Sequence, residues 1–344
     1  NYVAALLADL KTDLLKFPAR RIESIFIGGG TPSLFSATAF EKLFNELQQL
    51  LPFSTDIEIT FEANPGTVEQ HRFSAYRALG INRLSLGVQS FNAKHLNSLG
   101  RIHDDTQAHR AIESARAAGF DNINIDIMYG LPQQTIAEGL EDLKAAIAHQ
   151  PEHLSWYQLT IEPNTLFYKQ RPPLPNEDDA FQLEKEGLQL LDAHAFKRYE
   201  ISAFCRNNQY SHHNLNYWLF GDYYGIGAGA HGKLTLSDKT IFRTRKQRQP
   251  NDYLNQDKSF LAAIDEVSSV DLLFEFMLNA TRLQQAIPCS LFKDRTGLSF
   301  EDLRPGLLRA KAQGLVTLTD THWQVTPLGR QYTNNLQELF LPEL

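Results

Sequence analysis

The chain has 344 residues, 42% hydrophobic and 21% charged, enough to bury a full-sized core and more than a usual single domain, so a large domain with a smaller companion is expected. A net charge of −7 excludes an extended nucleic-acid surface, which needs a dense cationic face. No apolar run approaches the ~20 residues that cross a bilayer, and Cys205 and Cys289 stand far apart without metal-ligand spacing, so no disulfide framework is expected and a reducing cytoplasm is the default compartment.

Residues 1–17 set Ala, Leu and Val at helical spacing between Asp9, Lys11 and Asp13, a pattern of neither signal nor transit peptide. With no initiator Met, the start is expected to be processed or truncated. Short β-rich runs then alternate with amphipathic stretches, with strands expected at 22–29, 57–64, 83–90, 122–130 and 153–160. A helix is expected over 39–50, where Phe40, Leu43, Phe44 and Leu47 share a face and Ser36 offers an N-cap. Thr135, with Glu138 three residues on, opens another through a capping box. Strands in series that each end in a polar or Gly-rich turn predict a βα barrel with its chemistry at the C-terminal strand ends; an open doubly wound sheet is the alternative.

A Pro-rich stretch over 171–176 leads to a helix over 180–194 and a strand over 198–204. Residues 244–250 read as a basic loop, followed by an apolar helix over 270–283, a helix over 300–313, and a hairpin of 315–318 and 323–325 around Asp320. Helix, helix, hairpin suggests a winged-helix-like module, whose mixed charge favours packing and docking over DNA binding. The expected domains are 1–237, a linker over 238–264, and 265–344.

The sharpest local feature is Gly28-Gly29-Gly30-Thr31-Pro32-Ser33 after an apolar strand. It is either a tight strand-to-helix turn or a place where a ligand approaches the backbone closely, and it matches neither GxGxxG nor a P-loop. Later strand ends carry Glu62 and Asn64, Gln89, and Asp126. Such groups are costly to bury unpartnered, and several on successive strands favour a shared small-molecule pocket.

Gly28–Gly29–Gly30–Thr31–Pro32–Ser33, Glu62-Ala63-Asn64-Pro65, Gly87-Val88-Gln89-Ser90, Arg101 in Gly-Arg-Ile-His and Asp126 in Asp-Ile-Met-Tyr-Gly-Leu-Pro together resemble radical S-adenosylmethionine (SAM) proteins related to oxygen-independent coproporphyrinogen III oxidase. The resemblance runs along nearly the whole chain. It implies an α/β fold, a partial (βα)6 TIM-like barrel of the radical SAM type with a smaller C-terminal α+β, winged-helix-like domain. It further implies that Gly29, Gly30, Thr31 and Glu62 meet the methionine amino end of SAM. Gln89, Arg101 and Asp126 would fix its carboxylate and ribose, with Thr160 and His231 near the final contacts. The family holds a 4Fe–4S cluster through CxxxCxxC just after the first barrel strand. This sequence has no such motif and its opening looks like the helix that follows that loop, so the intact protein is expected to bind the cluster through an upstream segment.

His213-Asn214-Leu215-Asn216-Tyr217-Trp218 resembles the signature of the HemW-type heme chaperones within this group. That implies heme near His213, Asn214, Tyr217 and Trp218, with His213 a candidate iron ligand and His212 and His231 as alternatives. Imidazole ligates heme iron, and Tyr and Trp can pack a porphyrin face. Apart from the family, these residues read as a satisfied loop followed by core aromatics. Residues 222–232, rich in Gly and Ala, also resemble this branch, and Arg243, Arg245, Lys246 and Arg248 would either pair with heme propionates or form a solvated face. The implied function is a heme chaperone that delivers heme to acceptor hemoproteins, cytoplasmic, with peripheral membrane contact left open and no catalytic residue assigned. The alternative is an oxygen-independent coproporphyrinogen III oxidase, in which a deoxyadenosyl radical abstracts hydrogen from propionates before decarboxylation.

Overall fold

The computed structural model describes residues 1–30, 32–66, 71–255 and 257–341. They gather into two compact units, one of Ser24–Ala37 with Ile57–Ser211, the other of Asn1–Glu23, Thr38–Asp56 and His212–Leu344. Among the described residues no helix is long and apolar enough to cross a membrane.

Strands β1 (Ile22–Ile27), β2 (Phe53–Ala63), β3 (Arg83–Gln89), β4 (Ile123–Tyr129), β5 (His153–Gln158), β6 (Lys197–Arg198) and β7 (Ala203–Cys205) form one sheet, in the order β1-β2-β3-β4-β5-β7-β6. β2 to β5 run parallel, while β7 pairs antiparallel with both β5 and β6. β1 and β6 remain edges, as a partial barrel requires. The helices Asp105–Ala117, Ile136–Ala148 and Glu177–Ala193 follow β3, β4 and β5, the connection that parallel pairing demands.

Alternation along the strands explains how the sheet is sided. Phe61, Leu84, Leu86, Val88, Ile123, Ile125, Ile127 and Leu154 are buried apolar residues, and the residues between them are polar: Thr60 and Glu62, Ser85, Asn124 and Asp126, Ser155 and Tyr157. A parallel sheet packed on both faces reads as nearly continuous apolar runs. Here one face is polar across four strands, which marks a lined interior rather than a second packed layer.

The expected capping box holds: the Thr135 side chain and the Glu138 backbone close it at the start of Ile136–Ala148. A second box, Asp104 with Gln107, opens Asp105–Ala117. The single strand expected over 198–204 is instead the β6–β7 hairpin. The Glu200 carboxylate accepts the Ser202 backbone N–H at 2.9 Å and its hydroxyl at 3.1 Å, which satisfies the turn and reverses the chain.

In the other unit, β8 (His231–Thr235), β9 (Ile241–Lys246) and β10 (Leu261–Glu266) form an antiparallel sheet in the order β10-β9-β8. Residues 244–246, expected as a basic loop, are therefore strand, and the stretch expected as a linker carries β9 and the start of β10. The reason lies at a distance. Lys246 is fully buried and binds Asp13 at 2.8 Å, and also Asp9, on the helix Tyr2–Leu14, so its charge is matched by residues far away in sequence. The tail is helix Ser269–Ala280, helix Ser290–Thr296, helix Phe300–Ala312, and the small sheet of β11 (Ile287–Pro288), β12 (Val316–Leu318) and β13 (His322–Val325). Phe276, Phe292, Leu303, Leu307 and Trp323 are at its core; the two expected helices and the hairpin are present, while β11 and the helix Ser290–Thr296 between those helices were not expected.

Candidate cofactor site on the polar face of the sheet

β1 runs into Gly28, and an ideal Cβ there would lie 2.5 Å from Oε2 of Glu62, so only glycine lets this carboxylate come so close. Gly29 and Gly30 follow with φ of 77° and 57°, the left-handed region that glycine occupies without strain. The Gly29 N–H donates to Glu62 Oε2 at 3.3 Å, and no atom would lie within 4 Å of a Cβ on Gly29 or Gly30. The turn thus presents exposed backbone beside a carboxylate and open space. Thr31 lies outside the described residues.

At the end of β3 the register with β4 shifts between Leu86 and Gln89, and Gln89 takes a φ of 70°. Such a bulge re-aims a side chain, and a non-glycine residue in this region stores strain of order 1–3 kcal/mol, a combination that concentrates at functional sites. Gln89 is buried and its Oε1 accepts the hydroxyl of Tyr157 on β5 at 2.7 Å. Burial pushes the Tyr157 phenol well up; Asp126 and Glu62 add to this, and Arg101 opposes it. Gln89 thus meets this hydroxyl directly, and Asp126, Arg101 and Glu62 reach it only through their charges. Thr160 is exposed just past β5, and His231 is exposed at the start of β8 in the other unit.

Asp126 is held from below. Ser85 Oγ donates to its Oδ2 at 3.2 Å and Asn124 Nδ2 to its Oδ1 at 2.8 Å. Burial raises its acid, against hydrogen bonds from Asn124, Ser155 and Ser85 and the charge of Arg83. Asn124 Oδ1 in turn faces His153 Nδ1 at 2.7 Å, and His153 Nε2 faces the Tyr199 hydroxyl at 2.8 Å. Tyr157, Asn124 and His153 were not singled out from sequence. The signal was there in the strand His-Leu-Ser-Trp-Tyr-Gln, whose alternate residues are polar, but period two alone does not say that the polar face looks into an interior.

The short helix His212–Trp218 sets His213 against Tyr217, ring centroids 4.8 Å apart and nearly perpendicular, and Tyr217 against Tyr223 at 4.4 Å. Burial pushes the Tyr217 phenol up to about 12. Asn214 lies on the same helix. Trp218 goes elsewhere: it packs on the C-terminal core, with the Arg282 guanidinium 4.2 Å over its ring. The basic run is also largely committed. Arg243 binds Glu275 at 2.6 Å and the Tyr223 hydroxyl at 3.0 Å, Arg245 pairs with Asp265 at 3.2 Å, and Lys246 is buried.

The sheet site suits a ligand carrying an ammonium and hydroxyls, since carboxylates accept from both and a glycine turn admits close approach. A 4Fe–4S cluster has no such match here. Among the described residues no three His, Cys, Asp or Glu gather to hold a metal ion, and Cys205 and Cys289 are both buried.

Residues 5–146 match the family model of the radical SAM superfamily, and residues 267–332 that of the HemN C-terminal domain. The heme chaperone HemW of Escherichia coli (strain K12) is 47% identical over 343 residues, covering 100% of this chain and 90% of that protein. The heme chaperone HemW of Bacillus subtilis (strain 168) is 32% identical, covering 100% and 92%. In fold the chain is similar to coproporphyrinogen III oxidase (HemN) from Escherichia coli, a radical SAM enzyme, with a TM-score of 0.81 at 23% identity over 100% of this chain and 83% of that one. The chain belongs to the HemW heme-chaperone family of radical SAM proteins.

Proposed function

We propose that this protein captures heme and passes it to acceptor hemoproteins in the cytoplasm, with SAM and a 4Fe–4S cluster in a supporting role. The observation that carries the reading is identity of 47% to a protein named heme chaperone, sustained along the whole chain. Gly29, Gly30, Thr31 and Glu62 would hold the amino end of SAM, and Gln89, Arg101 and Asp126 its carboxylate and ribose, with Thr160 and His231 as outer contacts. Heme would sit at His213, Asn214 and Tyr217, where an imidazole stands edge-on to an aromatic ring, with Trp218 backing the helix from the core.

The test is a heme titration of the full-length, cluster-reconstituted protein, followed by Soret absorbance, in wild type and His213→Ala. Saturable binding that His213→Ala weakens by about tenfold or more supports the reading, as loss of an iron ligand should. Absence of heme binding, together with coproporphyrinogen turnover and 5′-deoxyadenosine release, would replace it with the oxidase.

A further inference from the structure

The Tyr157–Gln89 contact decides which end of an amide faces the ligand. Gln89 carries one acceptor and one two-proton donor, and an amide can turn either end to a ligand. Tyr157 hydroxyl occupies the acceptor, donating to Oε1 at 2.7 Å. The donor end lies over Gly87, where an ideal Cβ would come 3.2 Å from Nε2, so the absent side chain at Gly87 makes the room that this orientation uses. Burial raises the Tyr157 phenol, the charges of Asp126 and Glu62 add to this and Arg101 opposes it, so the hydroxyl keeps its proton.

Gln89 pairs in register with Ile127, the neighbour of Asp126. Asp126 offers two acceptor oxygens, steadied by Ser85 Oγ and Asn124 Nδ2, and the charge of Arg83 favours its ionised form against burial. A hydroxyl both donates and accepts. A donor and an acceptor on neighbouring strands therefore complement two vicinal hydroxyls, one accepting from Gln89 and one donating to Asp126.

We propose that Tyr157 is a positioning residue that locks Gln89 as a hydrogen-bond donor, so that Gln89 and Asp126 together read the ribose diol of the bound adenosyl ligand. This rests on the SAM reading of the site.

The experiment measures binding of S-adenosylhomocysteine and its 2′-deoxy counterpart to the full-length, cluster-reconstituted protein by isothermal titration calorimetry. Wild type is compared with Tyr157→Phe, Gln89→Glu and the double variant, with circular dichroism as the check on folding. Wild type should prefer the ribose form by about tenfold, the worth of one well-made hydrogen bond. Tyr157→Phe frees the amide to turn, and Gln89→Glu removes the donor at constant size. Both should bring the preference close to one, and the double variant should lose no more than either, as expected of residues acting through one contact. Should Tyr157→Phe not fold, Tyr157→Leu, which also lacks the hydroxyl, takes its place. A preference that survives in folded variants overturns the positioning role while leaving the SAM reading standing. Failure of wild type to bind S-adenosylhomocysteine overturns both.

Discussion

Asp142 lies buried on the helix Ile136–Ala148, where its carboxylate accepts the Ser90 hydroxyl at 2.6 Å and the Phe91 backbone N–H at 2.7 Å. It pins the turn immediately behind Gln89. Burial pushes its acid up to about 6, so the folded protein holds this proton more tightly than the unfolded chain, whose carboxyl titrates at about 4. Stability from this group is full below that range, falls as pH rises towards about 6, and is level above. Asp142→Asn keeps the shape and removes the titration. Urea unfolding across pH 4 to 7 should therefore lose its downward step in the variant; a step that persists would belong to another acid.

At the scale of elements, the helix Glu177–Ala193 meets β5 through Gly187, where an ideal Cβ would overlap the ring of Trp156. Trp156 is itself wedged against Tyr129, ring centroids 4.4 Å apart, and near Phe204, and cannot give way. Two effects oppose each other in Gly187→Ala. Helix propensity favours alanine by about 1 kcal/mol, while overpacking costs about 1–3 kcal/mol, and with backbone fixed on both sides the second should win. The urea midpoint should fall with the slope unchanged. At Gly139 the added methyl would meet the branched end of Leu183, which can rotate, so Gly139→Ala should cost less; equal costs would mean that rigidity of the neighbour is not what decides.

At the scale of the molecule, Lys246 joins β9 to Asp9, 237 residues away in sequence. Tyr253 donates to the same Asp9 at 2.7 Å, and the Gly227 N–H at 3.3 Å, so one buried cluster ties the helix Tyr2–Leu14 to the glycine-rich segment. Burial already raises the acid of Asp13 despite Lys246 beside it. Lys246→Met leaves two carboxylates buried with no cation, at a cost of about 3–5 kcal/mol. Adding Asp9→Asn and Asp13→Asn should recover most of that loss in a thermal melt. No recovery would show that the lysine stem, rather than its charge, supports the packing.

The strands β1 to β5 were legible because each pairs with neighbours reached by a helical crossover and carries its burial pattern in adjacent residues. The N-cap at Thr135 and the C-terminal helices were legible for the same local reason. Glu62, Gln89 and Asp126 were nameable from resemblance and from polar residues at strand ends. Tyr157 was not, because its role depends on a partner 68 residues away, and Lys246 was misread as part of a loop because the carboxylates that neutralise it lie at the other end of the chain. Sequence by itself determined what each segment does with its own backbone, since propensity, alternation and capping act over a few residues. Only tertiary structure decided which polar groups meet, since burial removes the water that would otherwise satisfy them and makes the choice of a distant partner obligatory.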